Sequence, residues 1–323
     1  MEFRKLGRTG LKVSTICLGT MQFGWSADEA TSHRIMSHAI ELGCNFFDTA
    51  DVYSRWAEGN DGGVSEQIIG NWLAQSGTRR DSIVLATKVR GQMGDGPNDQ
   101  GLSRVHIMTA VEDSLRRLQT DYIDLYQVHW PDEETPLDET LSALTDLVRA
   151  GKVRYIGCSN YPAWLLTKAL WVSDVKNLVR FDSLQPHYSL VHRAEFEREL
   201  QPLCLDQGIG VIPYSPLAGG FLTGKYKRGE AAPAGSRGEN SPYVQKYMTD
   251  ANYDKVEKLT AWAEERGHTM GELAHAWLLA QPSVSSVISG ATKLSHVQAN
   301  AKAADWALTA EEFAEVNGVL NGE

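Results

Sequence analysis

An α/β fold, a (β/α)8 (TIM) barrel preceded by an N-terminal β-hairpin, is what this chain predicts on three observations. Eight apolar runs of strand length recur along its 323 residues, helix-like segments separate them, and no Pro/Gly/Ser linker divides the chain. One domain over residues 1–323 is therefore expected.

The elements follow in order. FRKL-GRTG-LKVS has two short strand-like pieces around a Gly-containing turn and reads as the hairpin. The strand runs are VSTICLG (13–19), CNFFDTA (44–50), IVLATKV (83–89) and IDLYQVH (123–129), followed by VRYIGCS (153–159), FDSLQPH (181–187), GVIPYS (210–215) and SVISGA (286–291). Their uniform apolarity fits parallel strands buried on both faces. Between them, SRVHIMTAVEDSLRRLQ (103–119) places Val105, Met108, Val111, Leu115 and Leu118 at helical spacing, with Ser103 as N-cap. One connection, from Pro216 to about Asn252, is rich in Gly, Pro, Ser and Tyr and too long for a plain turn. It leaves the C-terminal end of a strand, so a role at the mouth of an active site is expected.

Composition narrows the function classes. A net charge of -10 argues against nucleic acid and anionic membrane surfaces as partners. No apolar run approaches the length of a membrane span, and MEFRKLGRTGLKVS has no signal-peptide core, so a cytoplasmic location is expected. Cys17, Cys44, Cys158 and Cys204 form no CxxC pair and read as buried thiols of a reducing compartment. Strand ends offer no His/Asp ligand cluster, and no metal is expected.

In such barrels, reacting groups sit where strands end at the C-terminal face. The second strand ends FFDTADVY, offering Asp48 and, in the loop beyond, Tyr53. The third ends in ATKV with Lys88, and the fourth in YQVHW with His129. Adjacent strands lie about 4.8 Å apart, so these four side chains can converge on one small volume. Trp25 after the first strand, Trp56 after Tyr53 and Trp130 directly after His129 suggest, with Tyr53 and His129, an aromatic substrate pocket that the segment SRWAEGNDGG (54–63) would help to shape. A Rossmann glycine fingerprint with its downstream acid is missing from the sequence.

FFDTADVY, LATKV, VHW, IGCSN, LQPHYSL, PYSPLAGGFLTGKY and VISGATK, in this order and across nearly the whole chain, resemble the aldo-keto reductase superfamily, in particular its bacterial and channel-β-subunit-like branch. The resemblance implies an NADPH-dependent enzyme that reduces a small-molecule carbonyl. The intact Asp48, Tyr53, Lys88 and His129 set also suits a nucleotide-sensing subunit of the same fold, and the short N-terminus favours the free enzyme. In the implied chemistry Tyr53 gives the proton, Lys88 lowers the Tyr53 pKa, Asp48 holds Lys88, and His129 orients the carbonyl.

The same resemblance implies the cofactor contacts. Ser159, Asn160 and Gln185 would bind the nicotinamide carboxamide, and Tyr214 would stack beneath the ring. Ser215, Leu217 and Gly219 would follow the pyrophosphate, with Lys225 reaching it from the long loop. Gly19, Thr20, Met21 and Asp48 complete the floor. The segment from Gly290 would hold the adenosine 2′-phosphate through Thr292, Lys293 and His296, with Asn300 nearby. It carries Lys where many relatives have Arg, and Ala299 where an acid often meets the adenine, so NADPH is expected and NADH remains possible.

Overall fold

The computed structural model describes residues 1–322. A two-stranded antiparallel hairpin comes first, β1 (Phe3–Lys5) and β2 (Lys12–Ser14). Eight parallel strands follow: β3 (Ile16–Gly19), β4 (Phe46–Asp48), β5 (Val84–Val89), β6 (Ile123–Val128), β7 (Val153–Ser159), β8 (Ser183–Gln185), β9 (Gly210–Val211) and β10 (Val287–Gly290). They lie side by side in chain order, with β10 against β3. The sheet curls until its edges meet, where Val211 N donates to Ser283 O, Ser285 N to Val211 O, and Ile288 N to Pro213 O. Each expected run contains one of these strands, several of them shorter than the run, and the Val13 end of the first belongs to the hairpin.

The outer layer is helical: α1 (Glu29–Glu41), α2 (Val64–Gln75), α3 (Arg104–Leu118), α4 (Leu137–Arg149), α5 (Ala163–Lys176), α6 (Gln201–Gln207), the short α7 (Arg237–Asn240) and α8 (Pro242–Gln245), then α9 (Asp250–Glu264), α10 (Met270–Leu279), α11 (Leu294–Ala303) and α12 (Ala310–Asn321). None of the described helices is long and apolar enough to cross a membrane. Ser103 caps α3 as expected, its side chain accepting from His106 N. The expected face of α3 is buried only in part. Ile107, Ala110, Val111, Leu115 and Leu118 face inward, while Val105 is exposed and Met108 half-buried. Two apolar stripes overlap on this helix, and the one begun at Ile107 points at the sheet.

The core has two compartments. Most of it lies between sheet and helices, and a smaller cluster of Cys17, Phe46, Val84, Ala86, Leu125, Ile212 and Ile288 fills the interior of the curled sheet. Leu6 and Val13 of the hairpin complete this inner cluster. The hairpin thus plugs the end where the strands begin. Arg8 N donates to Gly208 O, and Arg4 donates to Leu279 O and Val284 O. Gly7, at φ 55°, lies so close to β9 that a Cβ there would stand 2.4 Å from Gly210 N. With that end closed, the accessible end is where the strands finish. All four cysteines are buried.

Candidate active site

Asp48, Lys88, Gln127, Ser159 and Gln185 occupy the last turns of neighbouring strands, brought together by the register. Gly19 pairs with Asp48, Lys88 with Gln127, and Ser159 with Gln185. Lys88 is fully buried. Its Nζ donates to Asp48 Oδ1 at 2.5 Å, to Thr49 O at 2.8 Å and to Tyr53 Oη at 2.9 Å. An ammonium has three N–H donors, so all three are used. Tyr53 Oη therefore accepts from Lys88, and its own proton is directed elsewhere.

Electrostatics follow from burial and these contacts. Burial opposes the charge on Lys88, but Asp48 and Tyr53 outweigh it and hold the ammonium above the usual lysine range. The Tyr53 hydroxyl is also raised: burial pushes it up, Lys88 pulls it back, and Asp48 adds to the rise. The sequence argument that Lys88 lowers this group has the sign of its own contribution right and the net direction wrong, because desolvation of the phenolate is larger. His129 is held well below its usual range by burial first and then by Lys88 and Arg90, so its imidazole is neutral at physiological pH. Its Nδ1 is buried without a hydrogen-bond partner.

The predicted aromatic residues gather at this mouth. The Tyr53 ring meets His129 edge-on at 5.8 Å and Trp56 at 6.2 Å. Trp130 stacks on His129 at 3.7 Å, and Trp25 meets Trp56 edge-on at 5.8 Å. Trp25, Trp56 and Trp130 remain 45%, 48% and 41% exposed, as walls of an open mouth would be. The 54–63 segment is tied down by Ser54 Oγ to Phe23 O, Arg55 to Gln92 O and Asn60 Nδ2 to Gly24 O.

On the opposite rim, Ser159 Oγ donates to Gln185 O, and Gln185 Nε2 donates to Asp48 Oδ2. Asn160, at φ 60°, donates to His129 O and Ser159 Oγ and accepts from Tyr214 Oη. Thr20 is turned inward, its hydroxyl on Asp48 O, and Met21 sits beside it, half-buried. The turn after β9 has left-handed backbone at Ser215, Ala218, Gly219 and Gly220. A Cβ on Gly219 would stand 2.7 Å from Val244 Cγ2. Leu217 is half-buried in the same turn, and Tyr243 Oη donates to Ser215 Oγ, so the long loop does reach this rim. At the β10 end, His296 Nδ1 accepts from Thr292 N at 3.4 Å. Its imidazole is lowered by burial and by the charges of both Lys293 and Lys225. Lys225 itself lies by the turn after β9, its Nζ 3.2 Å from where a Cβ on Gly220 would stand. Asn300 is buried, its amide on Gly290 O at 3.3 Å. The amide-rich rim and the Lys293 ammonium, on a chain of charge -10, are groups that could hold a dinucleotide.

Residues 15–321 match the Aldo/keto reductase family. The chain belongs to the aldo/keto reductase family. It is 41% identical to the "Uncharacterized oxidoreductase YrpG" of Bacillus subtilis, over 100% of this chain and 97% of that protein. It is 40% identical to a "Probable voltage-gated potassium channel subunit beta" of Arabidopsis thaliana, over 94% of this chain and 92% of that protein. It is 34% identical to the "Versiconal hemiacetal acetate reductase" of Aspergillus parasiticus, over 91% and 90%. Membership in the family makes this chain an oxidoreductase of the NAD(P)H-dependent carbonyl-reducing kind.

This aldo/keto reductase supports its site with residues that the motifs do not mark. Gln127 Nε2 donates to Asp48 Oδ2 at 2.9 Å, beside the bond from Gln185. A polar residue inside the apolar run IDLYQVH was the available signal. Behind Lys88, Glu66 is fully buried, accepting from Thr87 Oγ1 and pairing with Arg117 at 2.7 Å. Burial, then Glu66, pushes the Asp51 carboxyl up to about 8. These come from α2, α3 and a loop, which share no local pattern.

Proposed function

We propose that this protein reduces aldehydes or ketones to alcohols with NADPH, NADH serving less well, and that Tyr53 is the proton donor. The observation that carries this reading is the saturation of Lys88. With its three donors spent on Asp48, Thr49 and Tyr53, the ammonium cannot protonate a substrate, whereas the Tyr53 hydroxyl has a proton to give. The cofactor, when bound, supplies the hydride.

The chain's own residues then do four things. Asp48, itself held by Gln127 and Gln185, fixes Lys88 in its charged form. Lys88 stabilises the phenolate that Tyr53 becomes on donating. Neutral His129 donates a hydrogen bond to the carbonyl oxygen and orients it. The tryptophans would give the mouth an apolar lining for the substrate. Ser159, Asn160, Gln185 and Tyr214 would hold the nicotinamide end, Ser215, Leu217, Gly219 and Lys225 the pyrophosphate, and Thr292, Lys293 and His296 the 2′-phosphate. Gly19, Thr20, Met21, Gly290 and Asn300 would line the remainder.

A carbonyl panel of sugars, methylglyoxal and aromatic aldehydes, followed by loss of NADPH absorbance, tests the activity. Steady turnover of at least one class is expected. No oxidation of NADPH by any of them would overturn carbonyl reduction.

Cofactor preference has its own test. Lys293 is exposed at the N-terminus of α11, where an anion is also favoured by the helix. A charge-assisted contact to phosphate contributes about 1.5–3 kcal/mol, or roughly 10- to 150-fold in affinity. Lys293→Ala is expected to weaken NADPH by that amount and to leave NADH nearly unchanged. Titration by tryptophan quenching reads both. Equal losses for the two cofactors, or none, would remove Lys293 from phosphate recognition.

A further inference from the structure

Arg90 stands beside His129, and carbonyl reduction as described gives it no task. The register places it there: Val89 pairs with Val128, and His129 N donates to Val89 O at 3.0 Å, so the next residues along the two strands are Arg90 and His129. Its charge reaches the imidazole, as the depressed basicity of His129 records after burial and Lys88. The backbone at Arg90 has φ 120°, a conformation that side chains other than glycine rarely hold. Such strain persists where the surroundings or the function require it.

Nothing local uses the guanidinium. Its Nε is buried and lacks a hydrogen-bond partner. Asp132, the acid that feels its charge, is lowered against burial chiefly by bonds from Thr135, Leu102 and Glu134, with Arg90 last. The link that Arg90 does provide, accepting from Gly101 N at 3.2 Å, comes from its backbone carbonyl, which any residue would supply. An arginine with strained backbone, a half-buried side chain and an unpartnered Nε therefore follows the strand end that lies beside His129.

We infer that Arg90 anchors a carboxylate of the substrate, so that the preferred carbonyl compounds carry an acidic group a few bonds from the carbonyl. This rests on the carbonyl-reduction reading above and adds the substrate class. A guanidinium fork matches a carboxylate's two oxygens. Strand neighbours about 4.8 Å apart suit a ligand that places its carbonyl on His129 and its carboxylate on Arg90.

Two variants and one matched pair of substrates test it. Arg90→Gly accepts the positive φ without strain, and Arg90→Gln keeps polarity without charge. The probes are 4-oxobutanoate and its methyl ester, compared by kcat/KM. The wild type is expected to favour the acid by about 10- to 100-fold, the range of a charge-assisted contact. Both variants are expected to lose that preference through KM for the acid, with Tm of Arg90→Gly at or above wild type. A wild type that treats acid and ester alike, or variants that lose both in parallel, would overturn the inference and leave carbonyl reduction standing. Binding of butanoate against butanamide, read by tryptophan fluorescence, needs no turnover. Selective butanoate binding lost in Arg90→Gly supports the anchor even if neither aldehyde is reduced, and equal binding of the two refutes it.

Discussion

Tyr53→Phe is expected to lower kcat for carbonyl reduction by about 10²–10⁴-fold, the usual contribution of a general acid, while NADPH affinity stays within about threefold. The ring keeps its edge-on contacts with His129 and Trp56, so the mouth retains its shape. What disappears is the one hydroxyl that accepts from Lys88 and carries a proton of its own. Single-turnover rates with NADPH, alongside cofactor titration by tryptophan quenching, separate loss of chemistry from loss of binding. Near wild-type turnover in this variant would exclude Tyr53 as the donor.

Lys88→Met is expected to be as damaging, and the two losses should not add. Residues that act as one unit show this non-additivity. The double variant should turn over no more slowly than the worse single one. A double variant that lost the full product of both effects would mean that the two side chains act independently. The change has a second consequence because Lys88 and Asp48 are both buried. Removing one partner of such a pair typically costs about 3–5 kcal/mol, since the remaining charge has no counter-ion. Asp48 would keep only the amides of Gln127 and Gln185. Adding Asp48→Asn should restore much of the lost Tm and none of the activity, which distinguishes a folding defect from a catalytic one.

The strands and the clustering of Asp48, Lys88 and His129 at their ends were legible for a common reason. A parallel strand buried on both faces reads as an unbroken apolar run, and a polar residue at the end of such a run stands out. Asp48, Lys88 and His129 all announce themselves this way. Legibility failed where contact depends on tertiary placement. Val105 satisfies the helical period yet faces solvent, because overlapping stripes leave the choice of face to the sheet. Glu66 and Arg117 pair across two helices, 51 positions apart. Tyr53 does lie against Lys88, but the direction of its pKa depends on burial, which no motif records.

The hairpin plug divides the molecule by tolerance to change. Backbone packs on backbone at the Gly7–Gly210 contact, where even a methyl group has no room. The segments after β4, β5 and β9, by contrast, rise from the far rim and take no part in sealing that end. Libraries that randomise 54–63 and 91–101 should therefore diversify substrate range while most members still fold, and the same load of changes around Gly7 should yield few soluble clones. Evolvability and foldability are lodged at opposite ends of one barrel.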